Sequence, residues 1–102
     1  MVRYGAVAET FVSGLAQPTP NPFAARTAIT FRLAQTGPVD LAVYSVAGRR
    51  VRTLAQGDHE PGAHVVPWDG TDEGGRRLPA GVYYVRLSTV RGSYRVSAVL
   101  LR

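Results

Sequence analysis

Three carboxylates crowd into five residues at Asp69, Asp72 and Glu73, inside the run Trp68-Asp69-Gly70-Thr71-Asp72-Glu73-Gly74-Gly75. Oxygen ligands spread along a glycine-rich loop are what Ca²⁺ coordination uses, which makes these side chains the candidate cation ligands of the chain. The run is not an EF-hand, because its acidic spacing differs and no bidentate Glu stands at the twelfth position. A structural reading competes with the metal reading: Asp69 and Asp72 accept hydrogen bonds from loop N–H groups while the glycines adopt positive φ.

Catalytic chemistry has little to draw on. The chain holds two histidines, no cysteine and no nucleophile-elbow motif. His59 falls in a polar stretch and His64 at the start of a strand, neither with a second ligand at metal-binding spacing. The expectation is a protein without catalytic residues and without a cofactor.

All twelve basic residues are arginine, and the net charge is +5. Arginine-only usage fits arginine-preferring coding as well as persistent surface hydrogen bonding. Arg49, Arg50 and Arg52, with Arg76 and Arg77, make a candidate basic patch for nucleic acid, anionic lipopolysaccharide or an acidic groove on a partner. No stacking aromatics interleave with them, so nucleic acid is not expected and a solvated strand edge or an anionic surface partner fits better. Tyr83 and Tyr84 must point to opposite faces of one strand. An exposed tyrosine beside Trp68 would suggest a carbohydrate platform, but a small sandwich needs its single tryptophan in the core.

The scaffold that must position these groups is bounded by length: 102 residues support one domain with one modest core. The lack of cysteine excludes a disulfide framework and leaves the redox compartment open. No run of about 18 apolar residues occurs, which excludes a transmembrane helix. The start Met1-Val2-Arg3-Tyr4-Gly5 lacks the charged and then apolar regions of a signal peptide, so an exported form is expected to be a fragment or processed product.

Helical periodicity is absent, while short β-branched and aromatic runs recur between Gly, Pro and Asp clusters, predicting an all-β antiparallel fold of about six or seven strands. Thr27 to Ala34 alternates, with Ile29, Phe31 and Leu33 on one face, and Val39 to Val46 follows after a turn at Thr36-Gly37-Pro38. Ala47-Gly48-Arg49 turns the chain into a short, charged edge strand from Arg50 to Leu54. Gln56 to Gly62 reads as a polar loop, and Ala63 to Trp68 as a strand that Pro67 confines to an edge. Thr71 to Leu78 is irregular. Gly81 to Thr89 presents Tyr83, Val85 and Leu87 inward, and Ser93 to Leu101 presents Tyr94, Val96, Ala98 and Leu100. Two sheets packed face to face would bury these sets in an immunoglobulin-like antiparallel β-sandwich.

Three segments are expected. Residues 1–16 are the tail of an upstream domain, an extra strand, or a strand donated to a neighbour, since Val2 to Val12 has β-propensity. Residues 17–26 are a stiff proline-rich connector, because the prolines at 18, 20 and 22 fix φ and extend the residues before them. Residues 27–102 are the sandwich.

Four ordered motifs carry a family resemblance: Pro20-Asn21-Pro22-Phe23; Leu41 to Val51 with Gly48 at its turn; Trp68-Asp69-Gly70 and the acidic run behind it; and Pro79-Ala80-Gly81-Val82-Tyr83-Tyr84. In this order and spacing, over about residues 18–102, they resemble the C-terminal sorting domain of proteins exported by the type IX secretion system, a relative of the Ig-like domain of flagellar hook-capping proteins. The resemblance implies a non-enzymatic β-sandwich at the end of a cargo, passing through the periplasm to the cell surface. It also implies two partners, an outer-membrane translocon and a sortase-like peptidase. Arg95, in Arg95-Val96-Ser97-Ala98-Val99-Leu100-Leu101-Arg102, takes the place of the basic residue that family members carry near the end. Only about sixteen residues precede the connector, so no cargo is present and the cleavage region is expected within residues 1–16. Two other readings are a structural subunit that assembles by donating residues 2–12, and a carbohydrate- or matrix-binding accessory module.

Overall fold

The structure is a computed structural model that describes residues 13–102, so the strand expected over Val2 to Val12 lies outside the described residues. Seven strands and no helix occur in the described part: β1 (Gly14–Leu15), β2 (Thr27–Leu33), β3 (Gly37–Tyr44), β4 (Arg50–His59), β5 (Gly62–Trp68), β6 (Gly81–Thr89) and β7 (Gly92–Leu100). They form a three-stranded sheet ordered β1-β2-β5 and a four-stranded sheet ordered β4-β3-β6-β7. Every strand pairing is antiparallel. This is the immunoglobulin-like sandwich that the alternating apolar residues require, since each sheet has one face to bury.

The core lies between the sheets and takes one side of each strand: Ile29, Phe31 and Leu33 from β2, Val39, Leu41 and Val43 from β3, Tyr83, Val85 and Leu87 from β6, and Ala98 and Leu100 from β7. Tyr94 and Val96 are partly buried and pack against this cluster. Trp68 is buried at the end of β5, which removes the exposed platform that the carbohydrate reading needs. As expected, β5, with Pro67, is an edge strand, and so is the arginine-bearing β4.

In three places the geometry changes or narrows an expectation. The stretch Gln56 to Gly62 is not a loop up to its end: β4 runs through His59, pairing Gly37 with His59 and Asp40 with Gln56. Its polar composition comes from an edge strand that is largely exposed there, and register shifts at Leu41/Ala42 and Val43/Tyr44 let the two strands keep pairing along their length. Residues 13–16 join the sandwich, because Gly14 and Leu15 pair with Arg32 and Phe31 of the same chain, which for this part agrees with the extra strand among the readings of residues 1–16.

The third difference is the largest. The segment expected to be a connector is bonded into the sandwich: Thr19 pairs with Ala28, and Phe23 forms a parallel bridge with Leu100. Phe23 is 2% exposed and belongs to the core. Stiffness set by proline restricts the backbone but does not say whether it stands off or docks, and here a buried phenylalanine docks it.

Candidate functional site

Residues of three of the four motifs come together at one pole of the sandwich, around the end of β7. Phe23 and Trp68 meet with ring centroids 5.4 Å apart, and Trp68 meets Tyr83 edge-on at 5.8 Å. Such tilted and edge-to-face contacts suit the ring quadrupoles and add to the burial of three large side chains. Two of the rings are also anchored by polar bonds: the Trp68 indole N–H donates to Thr71 O at 3.0 Å, and the Tyr83 hydroxyl donates to Pro79 O at 2.6 Å. Burial of Tyr83 raises its phenol pKa above the usual 10.0.

The last strand is gripped along its outer edge. Asn21 donates from Nδ2 to Ser97 O at 3.0 Å and accepts from the Val99 N–H at 2.8 Å. Phe23 N–H donates to Val99 O at 2.9 Å, and Leu101 N–H donates to Phe23 O at 2.8 Å. Asn21 thus imitates a strand residue with its side-chain amide, and Phe23 continues the pairing with its backbone. Thr27, the buried polar residue beneath, donates its hydroxyl to Pro20 O at 2.6 Å.

Across the pole, Leu100 and Arg102 seat against the loop after Trp68. Gly70 takes φ +77°, and a Cβ there would lie 3.1 Å from Leu100 Cδ1 and 3.2 Å from Arg102 Nη2. Glycine is therefore required twice, for its left-handed backbone and for close approach. Arg102 donates from Nη2 to Gly70 O at 2.9 Å and from Nε to Leu78 O at 3.0 Å. Gly81 opens β6 opposite Leu100, completing the wall.

The acidic loop spends its carboxylates internally. Asp69 Oδ1 accepts from the Thr71 hydroxyl and N–H, and these bonds hold its carboxyl below the usual 3.8 despite some burial. Asp72 Oδ1 accepts from the N–H groups of Gly74 and Arg76, while Glu73 Oε2 accepts from the Thr53 N–H. Arg52 reaches over from β4 to donate to Thr71 and to Asp72 O. The three carboxylates thus serve three separate sets of donors, and among the described residues no group of three acidic, His or Cys side chains gathers as a metal cluster would.

The other candidate residues sit outside this pole's interior. Gly48, at φ +85°, turns β3 into β4 through Gly48 N–H donating to Ser45 O. His59 and His64 pack on Phe31, each with a ring nitrogen at a backbone carbonyl, 3.1 Å from Gly57 O and 2.7 Å from Glu60 O. Arg50 forms a two-pronged ion pair with Asp40, holding that carboxyl below its usual value. Arg95 lies on the outer face of the four-stranded sheet, its guanidinium 4.8 Å from the centre of the Tyr84 ring. The sequence reading did not single out Arg86, which faces Arg95 across β6 and β7; only the strand register brings the two together.

The family described as the FlgD Ig-like domain matches residues 19–98. A solved structure of PorZ, an essential bacterial surface component of the type-IX secretion system of Porphyromonas gingivalis, has the same fold with a TM-score of 0.55 at 19% identity. The match covers 87% of this chain but 12% of that one. No curated protein matches the chain.

Proposed function

We propose, from the premise that the chain belongs to the family of FlgD Ig-like domains, that it is a sorting domain which carries a cargo protein through the type IX secretion system to the cell surface. It does so as a folded label and performs no chemistry. The observation that carries this reading is the C-terminal pole: Asn21, Phe23, Trp68, Gly70 and Tyr83 come from separated motifs, yet all close around the last strand. The end of the chain is thereby presented as part of a rigid surface, which a translocon can read only after folding. Likeness in fold to a part of PorZ, itself a surface component of such a system, supports the assignment to that pathway.

Under this reading the functional unit includes β1 and the docked Gln17 to Phe23 segment, because both are bonded into the sandwich. A sortase-like peptidase would then cut ahead of β1. The test is an inert periplasmic reporter fused ahead of Met1 of the full chain, in a type IX-competent host and in a translocon-deficient control. Translocon-dependent appearance at the surface, with cleavage before β1, is the expected result. Retention of a folded, protease-resistant fusion in the periplasm of both hosts would overturn the reading.

A further inference from the structure

The four-stranded sheet turns an unusual surface outward. Arg86 of β6 and Arg95 of β7 are direct cross-strand partners, and like charges in that relation destabilise a sheet. Neither takes part in either of the ion pairs among the described residues, which join Arg50 to Asp40 and Arg52 to Asp69. Arg86 has one long bond, 3.4 Å from Nη2 to Ser93 Oγ, and Arg95 is steadied by stacking on Tyr84. The nearby Asp40 carboxylate is already bonded to Arg50, at 2.6 Å. The two arginines line an open hollow of about 240 Å³ together with Tyr44, Val46, Gly48 and Tyr84. Val46, 72% exposed, stands at its rim, and Val82 is exposed two residues before Tyr84 on the same strand.

We propose that this hollow is a docking site for an acidic patch on a partner protein, whose carboxylates are received between Arg86 and Arg95. Charge complementarity selects an anion, and the planar guanidinium forks suit carboxylates. Tyrosine and arginine are among the side chains enriched at protein–protein contact centres, and the exposed valines add apolar area beside them. The geometry disfavours other anions. One face of Tyr84 is taken by Arg95 and one face of Tyr44 by Arg50, so a sugar or a nucleobase would compete with a guanidinium to stack there. Strand addition at β3 and β6 is closed, because both are paired on both sides. The inference does not rest on the sorting reading, since binding is measured on the isolated chain.

The test uses a short capped peptide alternating glutamate with leucine, followed by NMR of the arginine side-chain N–H and tyrosine ring signals. The expected result is saturable shifts at Arg86, Arg95 and Tyr84, weakening steeply from low to high salt. Affinity should fall about tenfold in Arg86→Gln and in Arg95→Gln, the loss of one charge-assisted contact. Without peptide, Arg86→Gln should melt at or above the temperature of the parent chain, because an opposed charge has gone. A lowered melting temperature would instead make the pair structural and overturn the proposal. So would unchanged peptide affinity in both variants, or no binding by the parent chain. Tighter binding of an oligogalacturonate or a single-stranded oligonucleotide through the same arginines would overturn the choice of a protein partner.

Discussion

Arginine plays opposite parts at the C-terminal pole and on the outer sheet face. At the pole Arg102 is bound to the carbonyls of Gly70 and Leu78, and Arg52 to Thr71 and Asp72, so each guanidinium closes a loop that the chain itself provides. On the sheet face Arg86 and Arg95 confront each other with no ion pair among the described residues, since Asp40, which feels the Arg86 charge, is bonded to Arg50. A folded chain satisfies charges it needs for its own architecture, and like charges set opposite each other without an ion pair are the kind of feature that suits a contact beyond the chain. The difference teaches that position in the network, not residue type, separates scaffold from contact surface.

The largest effect of a single substitution is expected at the pole. Phe23→Ala should cost about 3–5 kcal/mol, as for a truncated core aromatic, and lower the thermal midpoint sharply in a circular-dichroism melt. A phenylalanine in a free-standing connector would be nearly neutral, so a small change would remove the docked segment from the fold. Next in size, Gly70→Ala should cost about 2 kcal/mol, combining left-handed strain with crowding against Leu100 and Arg102. Gly48→Ala, where a Cβ meets nothing within 4 Å, should cost only the backbone strain of about 1 kcal/mol in the same denaturant titration.

The arginines themselves sharpen the contrast further. Arg102→Ala should lower the melting temperature measurably, since it releases two carbonyls at the pole, while Arg95→Ala should leave it within error. In the fused reporter, therefore, lost export in Arg95→Ala would report recognition, whereas lost export in Arg102→Ala would report fold and recognition together. The smallest effect concerns acid. Asp69 and Asp40 have carboxyl pKa values lowered by Thr71 and Arg50 respectively, so the folded chain binds fewer protons than the unfolded one near pH 4. Their contribution is present above the unfolded pKa of about 3.9 and is lost as pH falls through the lower folded values. Asp69→Asn should flatten the acid limb of stability against pH and leave the neutral-pH slope unchanged.

Much of the sandwich was legible beforehand because a half-buried strand must alternate. Ile29, Phe31 and Leu33, and Tyr83, Val85 and Leu87, could be assigned to the core from period two alone, and they lie there. The extent of β4 was not legible, because Gln56, Gly57 and Asp58 on an exposed edge have the same composition as a loop. The docking of Pro20 to Phe23 was hidden for a different reason: its partners Ser97 and Val99 lie more than seventy residues away. Asp69, Asp72 and Glu73 cluster in sequence, but in the fold each carboxylate accepts from a donor in its own loop or in β4.

The sequence by itself determined the fold class, the inward faces and the turns, because these follow from steric and solvation rules that act over a few residues. Only the tertiary structure decided that separated motifs form one socket around Leu100 and Arg102, and that Arg86 meets Arg95. The physical reason is that register and sheet packing are set by the mutual burial of distant faces, which no local run of residues encodes alone.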